Sequence, residues 1–234
     1  GWGLPGGQFL LLPFCYGMAA LCLLAIDRAE PPRNLSGRSV WHEIMEGLQV
    51  LQRFPTVRSA MVHLVLLYSL LAALYVLALQ LAALISSLGP SGFGTLLAMS
   101  GLGMAVGAVL VAQLGHRFSR RRLAAAGLGT ITWTLLLLIQ FKGSLTATLS
   151  LCGILGVGAA LVAIPAQTTI QEDTPEQQRG RVFGLQNNLI NIALSLPLVL
   201  AGTLVSSIGL SPVLGLLAIL ALIAALIERP WQRC

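Results

Sequence analysis

The chain has 234 residues, 56% of them hydrophobic and only 9% charged, with a formal charge of +6 and a mean hydropathy of +0.85. An ordinary soluble domain carries roughly 25% charged residues, so this composition excludes a surface built for water and makes lipid the main solvent. The pI near 9.8 does not point to a nucleic-acid partner, because the basic residues fall in short clusters between apolar runs instead of lining one face.

The opening stretch GWGLPGG has neither an initiator Met nor a basic segment. It does not read as a signal peptide, and the expectation is that it lies inside a longer sequence. Seven apolar runs follow, at 9–26, 60–84, 93–114, 123–141, 146–170, 183–205 and 208–227, none containing Asp, Glu, Lys or Arg. A span needs about 20 apolar residues, and backbone in hydrocarbon must satisfy its own hydrogen bonds, so each run is predicted to be a helix. None alternates as the strands of a membrane barrel would. The fold class is therefore all-α, a polytopic membrane protein with seven transmembrane helices.

The connections alternate in charge. Segment 27–59 carries Arg28, Arg33, Arg38, Arg53 and Arg58; 115–122 carries Arg117, Arg120, Arg121 and Arg122; 171–182 carries Arg179 and Arg181; and the tail carries Arg229 and Arg233. These alternate connections hold 13 of the 14 basic residues, Lys142 being the other. Positive charge marks the cytoplasmic side, which places residue 1 outside and residue 234 in the cytoplasm of a multi-pass protein.

The first long connection, DRAEPPRNLSGRS, is polar with a Pro31–Pro32 pair and reads as a linker. After it, Trp41, Ile44, Met45, Leu48, Leu51 and Phe54 recur at helical spacing, which predicts an amphipathic helix on the cytoplasmic interface or a packing helix between two bundles. The expected division is 1–26, a linker at 27–59, and a six-helix bundle at 60–234.

Within the spans, GMAVG at 103–107 and GILGVGAA at 153–160 are smooth surfaces for close helix packing. GLGMAVG lies inside an apolar span with no preceding strand, so it is not a dinucleotide loop. Pro165 and Pro197 should bend spans five and six.

Polar groups in hydrocarbon are costly, which makes them functional candidates. Span six opens FGLQNNLIN, grouping Gln186, Asn187, Asn188 and Asn191. Asn191 lies ten residues past Arg181, roughly 15 Å along a helix. Such amides line a substrate path or bond between helices. Gln167, Thr168 and Thr169 close span five, and Tyr68 and Tyr75, seven apart on span two, share a helix face. His63 is the one imidazole in a span; it is either a proton carrier or a ring bonded to a neighbour. Trp133, mid-span, reads as packing in preference to ligand stacking. In the loop QEDTPEQQRGRV, Glu172, Asp173 and Glu176 stand near Arg179 and Arg181, as gate ion pairs or as ordinary surface pairs worth about 0–1 kcal/mol.

Four cysteines without a CxxC pair or a nearby His give neither a disulfide framework nor a metal site. No HExxH, GxSxG or P-loop occurs. No cofactor is expected, and an enzyme is disfavoured, with only His63 available inside a span.

The hairpin AQLGHRFSRRR resembles the signature loop of the major facilitator superfamily. Arg117, Arg120 and Arg121 match its basic positions and Ala112 its small one; His116 stands where Asp is usual and Ser119 where Gly is usual. TPEQQRGRVFGLQNNLIN is similar to the loop between helices ten and eleven of efflux-type members, such as enterobactin and macrolide exporters. EIMEGLQVLQRFPTVRSA resembles the entry to helix seven. The resemblance implies that span one is helix six, the last helix of an N-terminal bundle, and that spans two to seven are the six-helix C-terminal bundle. The rest of the N-terminal bundle would be the missing partner.

It further implies a secondary active exporter of a small amphiphilic compound, drug-like or siderophore-like. Transport would be by alternating access, proton-coupled, with Arg117, Arg120, Arg121, Arg179, Arg181, Glu172 and Asp173 as a cytoplasmic latch. The alternative is a non-transporting scaffold or assembly subunit, or an inactive fragment, of the same fold.

Overall fold

The computed structural model describes residues 7–24, 45, 49, 51–85, 92–141 and 143–227. The described residues are helical throughout apart from short turns. The chain divides into two compact units, 1–39 and 40–234. The first contains α1, Gly7–Leu24, an apolar helix with Pro13 inside it.

The second unit contains α2 (Pro55–Leu84), α3 (Phe93–Leu114), α4 (Arg120–Phe141), α5 (Leu145–Asp173), α6 (Arg179–Ile208) and α7 (Leu210–Ile227). Five helices, α2 to α6, are long and apolar enough to cross a membrane; Pro13–Leu24 and Leu210–Leu226 are shorter apolar helices at the first and last predicted spans. The protein is thus an integral, multi-pass membrane protein.

Each long helix except α3 runs past its apolar run. α2 starts five residues before the predicted span, at Pro55, where the absent N–H costs no intrahelical bond; α6 starts at Arg179, four residues early. The charge pattern locates the hydrocarbon, but helical hydrogen bonding continues into the interface, where arginines are tolerated. The last connection also differs from the expected turn at 206–207. The chain reverses at Gly209, whose φ of +85° is a conformation L side chains rarely adopt. The amphipathic segment is helical at residues 45, 49 and 51–53. Residues 41–44, 46–48 and 50 of that segment, and all of the linker before it, lie outside the described residues.

α5 is the hub, packing against α3, α4 and α2, while α6 packs on α2 and α7 on α4. Hydrocarbon supplies no hydrophobic drive between helices, so close backbone approach must supply van der Waals contact. Glycines make that approach possible. A Cβ on Gly103 of α3 would run into the Gly153 carbonyl of α5, and one on Gly156 into the Ser100 carbonyl of α3. One on Gly107 would meet the Ala160 Cβ at 2.7 Å, and one on Gly127 of α4 the Gly158 carbonyl at 2.7 Å. The Ser100 hydroxyl donates to the Cys152 carbonyl at 3.1 Å across the same seam.

Two apolar clusters fill the rest. One joins α2, α4, α5 and α7 around Leu77, Leu128, Leu135, Ala159 and Leu214. The other sits at the arginine-bearing end, around Val57, Met61, Leu64, Ile170 and Val182. Exposed stripes remain: on α4, Ala126, Gly129, Trp133, Leu136 and Gln140 are all exposed at helical spacing. Trp133, expected to pack, is 66% exposed because it falls on that stripe.

Replacing Gly103 or Gly156 by Leu forces α3 off α5 and should destabilise the protein by about 1–3 kcal/mol, the usual range for overpacking. Gly129→Ala, with nothing within 4 Å of the new Cβ, should be neutral or stabilising. Thermal unfolding in detergent measures both; equal effects would show that the seam is not under tight contact.

Candidate functional site

The charged hairpins converge at one end of the bundle. α3 ends at Leu114 and α4 begins at Arg120. Between them, the N–H groups of Gly115, Arg117 and Phe118 bond back to Val111 and Leu114 carbonyls, and Leu123 N–H bonds the Ser119 carbonyl. This tight turn sets Arg120 on the first residue of α4, where it bonds and ion-pairs with Glu172 near the end of α5. Both side chains are about half exposed, at 43% and 59%, so the pair contributes little stability, about 0–1 kcal/mol, but it ties two helix ends together.

Arg179 donates to the Thr174 carbonyl at 3.4 Å and lies 3.9 Å from Glu176, within its own turn. Arg181 is exposed on the first turn of α6. Arg117, Arg121 and Asp173 are exposed at the same end, and none is in an ion pair among the described residues.

Deeper in the bundle, the Gln186 amide donates to Gln167 Oε1 at 2.7 Å, bridging α6 and α5. Both residues are near-equidistant from the 3-10 turn Glu176–Gln178, so an antiparallel connection sets them at one depth; the sequence carried this signal in their positions. Gln186 is only 8% exposed, and its own Oε1 has no hydrogen-bond partner. Thr174 Oγ1 and Gln178 Oε1 are likewise buried without partners, all in one short stretch that residue types alone did not distinguish.

Asn187, Asn188 and Asn191 are instead exposed on α6. The structure therefore divides the amide group: Gln167 and Gln186 join helices, while the three asparagines lie open. The hydroxyls of Thr168 and Thr169 bond back to Ile164 and Pro165 carbonyls, both at 2.9 Å.

The tyrosines have different surroundings. Tyr68 packs on the cluster at the charged end, while Tyr75 is 50% exposed, its ring edge-on to Phe93 with centroids 6.1 Å apart. His63 is buried, and its Nδ1 donates to the Ser59 carbonyl at 2.6 Å, which fixes the tautomer on that side. No group of three or more His, Cys, Asp or Glu that could hold a metal occurs among the described residues. A cavity of about 210 Å³ lies between α2, α6 and α7 beside Pro197 and is lined almost wholly by Leu, Ala and Val.

The profile of the Major Facilitator Superfamily matches residues 61–230, which takes in α2 from Met61 onward and all of α3 to α7. The chain belongs to the Major Facilitator Superfamily. It is 29% identical over 201 residues to a multidrug efflux pump, Tap, of Mycolicibacterium fortuitum, the match covering 84% of this chain and 48% of the relative. It is 26% identical over 188 residues to uncharacterized MFS-type transporters of Mycobacterium bovis and Mycobacterium tuberculosis, covering 77% of this chain and 42% of each. The chain thus spans about half the length of the curated relatives it matches. No solved structure gives a significant match.

The two glutamines of this superfamily bundle should respond unequally to truncation. Gln167→Leu strands both polar atoms of the buried Gln186 and should cost about 1–3 kcal/mol. Gln186→Leu removes the orphaned oxygen together with the bond and should cost less. Unfolding of the two single variants and the double variant checks this; equal single costs would refute the asymmetry.

Proposed function

We propose that this bundle works with a second helical bundle as a secondary active exporter, carrying a small amphiphilic compound across the membrane by alternating access. The observation that carries the reading is the open face of α6. Asn187, Asn188 and Asn191 are exposed on a helix long and apolar enough to cross a membrane, an arrangement that costs free energy in hydrocarbon unless the face meets water, substrate or another polar surface. Family membership and the relative described as a multidrug efflux pump favour transport, and export in particular.

In this reading the asparagine amides orient a substrate whose remaining surface is apolar. The cytoplasmic latch is Arg120 with Glu172, supported by Arg117, Arg121, Asp173, Arg179 and Arg181, and its contacts exchange as the bundles rock. No predicted apolar run carries a carboxylate, so His63 is this chain's candidate for proton transfer. Tyr68, Tyr75, Gln167 and Gln186 then position α2, α5 and α6 around the path.

Substrate flux by the whole protein in vesicles tests each part. Asn188→Leu with Asn191→Leu should raise KM about fivefold per lost hydrogen bond, the factor corresponding to about 1 kcal/mol. Neutralising Arg117, Arg120 and Arg121 together should lower flux while leaving substrate affinity measurable in one facing state; undiminished flux with normal insertion would sink the latch. His63→Gln should remove the acceleration that an imposed pH gradient gives the parent protein, and retained acceleration would place proton transfer elsewhere.

A further inference from the structure

A cavity of about 320 Å³ opens at the arginine-bearing end, between α2, α4 and α5. Its floor is apolar, from Ala60, Ala124, Pro165 and Ala166, and its wall is polar: Thr56, Ser59 and His63 from α2, Ser119, Arg120 and Arg121 from α4, and Thr169 and Asp173 from α5. Three features give it a chemistry. Arg120 and Arg121 both line it; Arg120 is engaged by Glu172, while Arg121 is in no ion pair among the described residues. The same two residues open α4, ahead of its first backbone bond from Leu123 to Ser119, so their N–H groups add to the positive field of a helix start. Among the described residues, the four exposed arginines of 117–122 stand against Glu172 and Asp173, a positive balance in which Asp173 is the one carboxylate lining the cavity.

An apolar floor under a cationic rim, at the level where charged side chains replace apolar ones, matches the join between acyl chain and phosphate. Basic pockets between membrane helices on the cytoplasmic side hold phospholipid head groups, and guanidinium suits phosphate through paired N–H donors. We propose that this cavity is a binding site for the phosphodiester of an anionic phospholipid of the cytoplasmic leaflet. Arg121 is the principal phosphate ligand, and the hydroxyls of Thr56 and Ser59 are available to the head group. An occupied site ties α4 to α2 at their ends, a contact distinct from the Arg120–Glu172 pair that joins α4 to α5. The proposal stands whether or not the protein exports anything.

The test uses the whole protein in nanodiscs of mixed phosphatidylglycerol and phosphatidylcholine, with protein-retained lipid measured by mass spectrometry after gentle detergent extraction. Retained phosphatidylglycerol should exceed its share of the bilayer. Arg121→Gln should lower that enrichment about fivefold, the factor corresponding to the ~1 kcal/mol of a basic residue near an anionic surface. Arg121→Lys should keep most of it. Thr56→Phe, at an exposed position on the first turn of α2, should lower it by obstructing the mouth without altering charge. Arg58→Gln, close by but outside the lining, should leave it intact. Equal enrichment in parent and Arg121→Gln, or an equal loss in Arg58→Gln, would overturn the site in favour of diffuse surface attraction. Displacement of the lipid by inorganic phosphate alone would overturn its assignment to a lipid.

Discussion

Hydrocarbon as a solvent removes the force that assembles soluble proteins. Leu against Leu gains nothing over Leu against an acyl chain, so association rests on how closely backbones approach. In this bundle that approach is concentrated on α5. Gly153, Gly156 and Gly158 accept α3 on one side and α4 on another, and the same helix carries Gln167 and Glu172, which reach α6 and α4. The polar bridges depend on the seams, because side chains of fixed length meet only if the backbones have first been brought to the required distance.

Polar chemistry is arranged by depth. At the charged end, exposed ion pairs are weak and exchangeable, which suits contacts that break and reform. Below them lies the buried amide bridge, and three oxygens are orphaned, two in the α5–α6 connection and one on Gln186 of α6. Buried polar atoms without partners are uncommon, and their grouping marks this connection as less completely satisfied than the glycine seams. The asparagines of α6 lie deeper still on an open face. The bundle is therefore firmest at the α3–α4–α5 seams and least satisfied where α5 passes into α6.

The same end of the bundle serves two kinds of contact. Arg120 turns toward α5 through Glu172, while Arg121, the next residue, lines a cavity toward α2. Adjacent positions on a helix point about 100° apart, as 3.6 residues per turn requires, so one short cluster of arginines can both join helix ends and present charge to the membrane interface. His63 lines this cavity too, which places the one imidazole of the predicted spans beside the charged hairpin instead of beside the asparagines.

Much of this was legible in the sequence. Runs free of charge set the number and order of the described helices, because the cost of a charge in hydrocarbon is a property of the residue and needs no tertiary context. The glycine patterns at 103–107 and 153–160 were visible as smooth surfaces for the same reason. Which partners meet was not legible. Gln186 turning inward to Gln167 while Asn187 turns outward, Arg120 choosing Glu172 over Asp173, Trp133 facing outward, and the reversal at Gly209 all depend on how each helix is rotated about its axis. That rotation is set by packing against neighbours distant in the chain, so only the tertiary structure decided it.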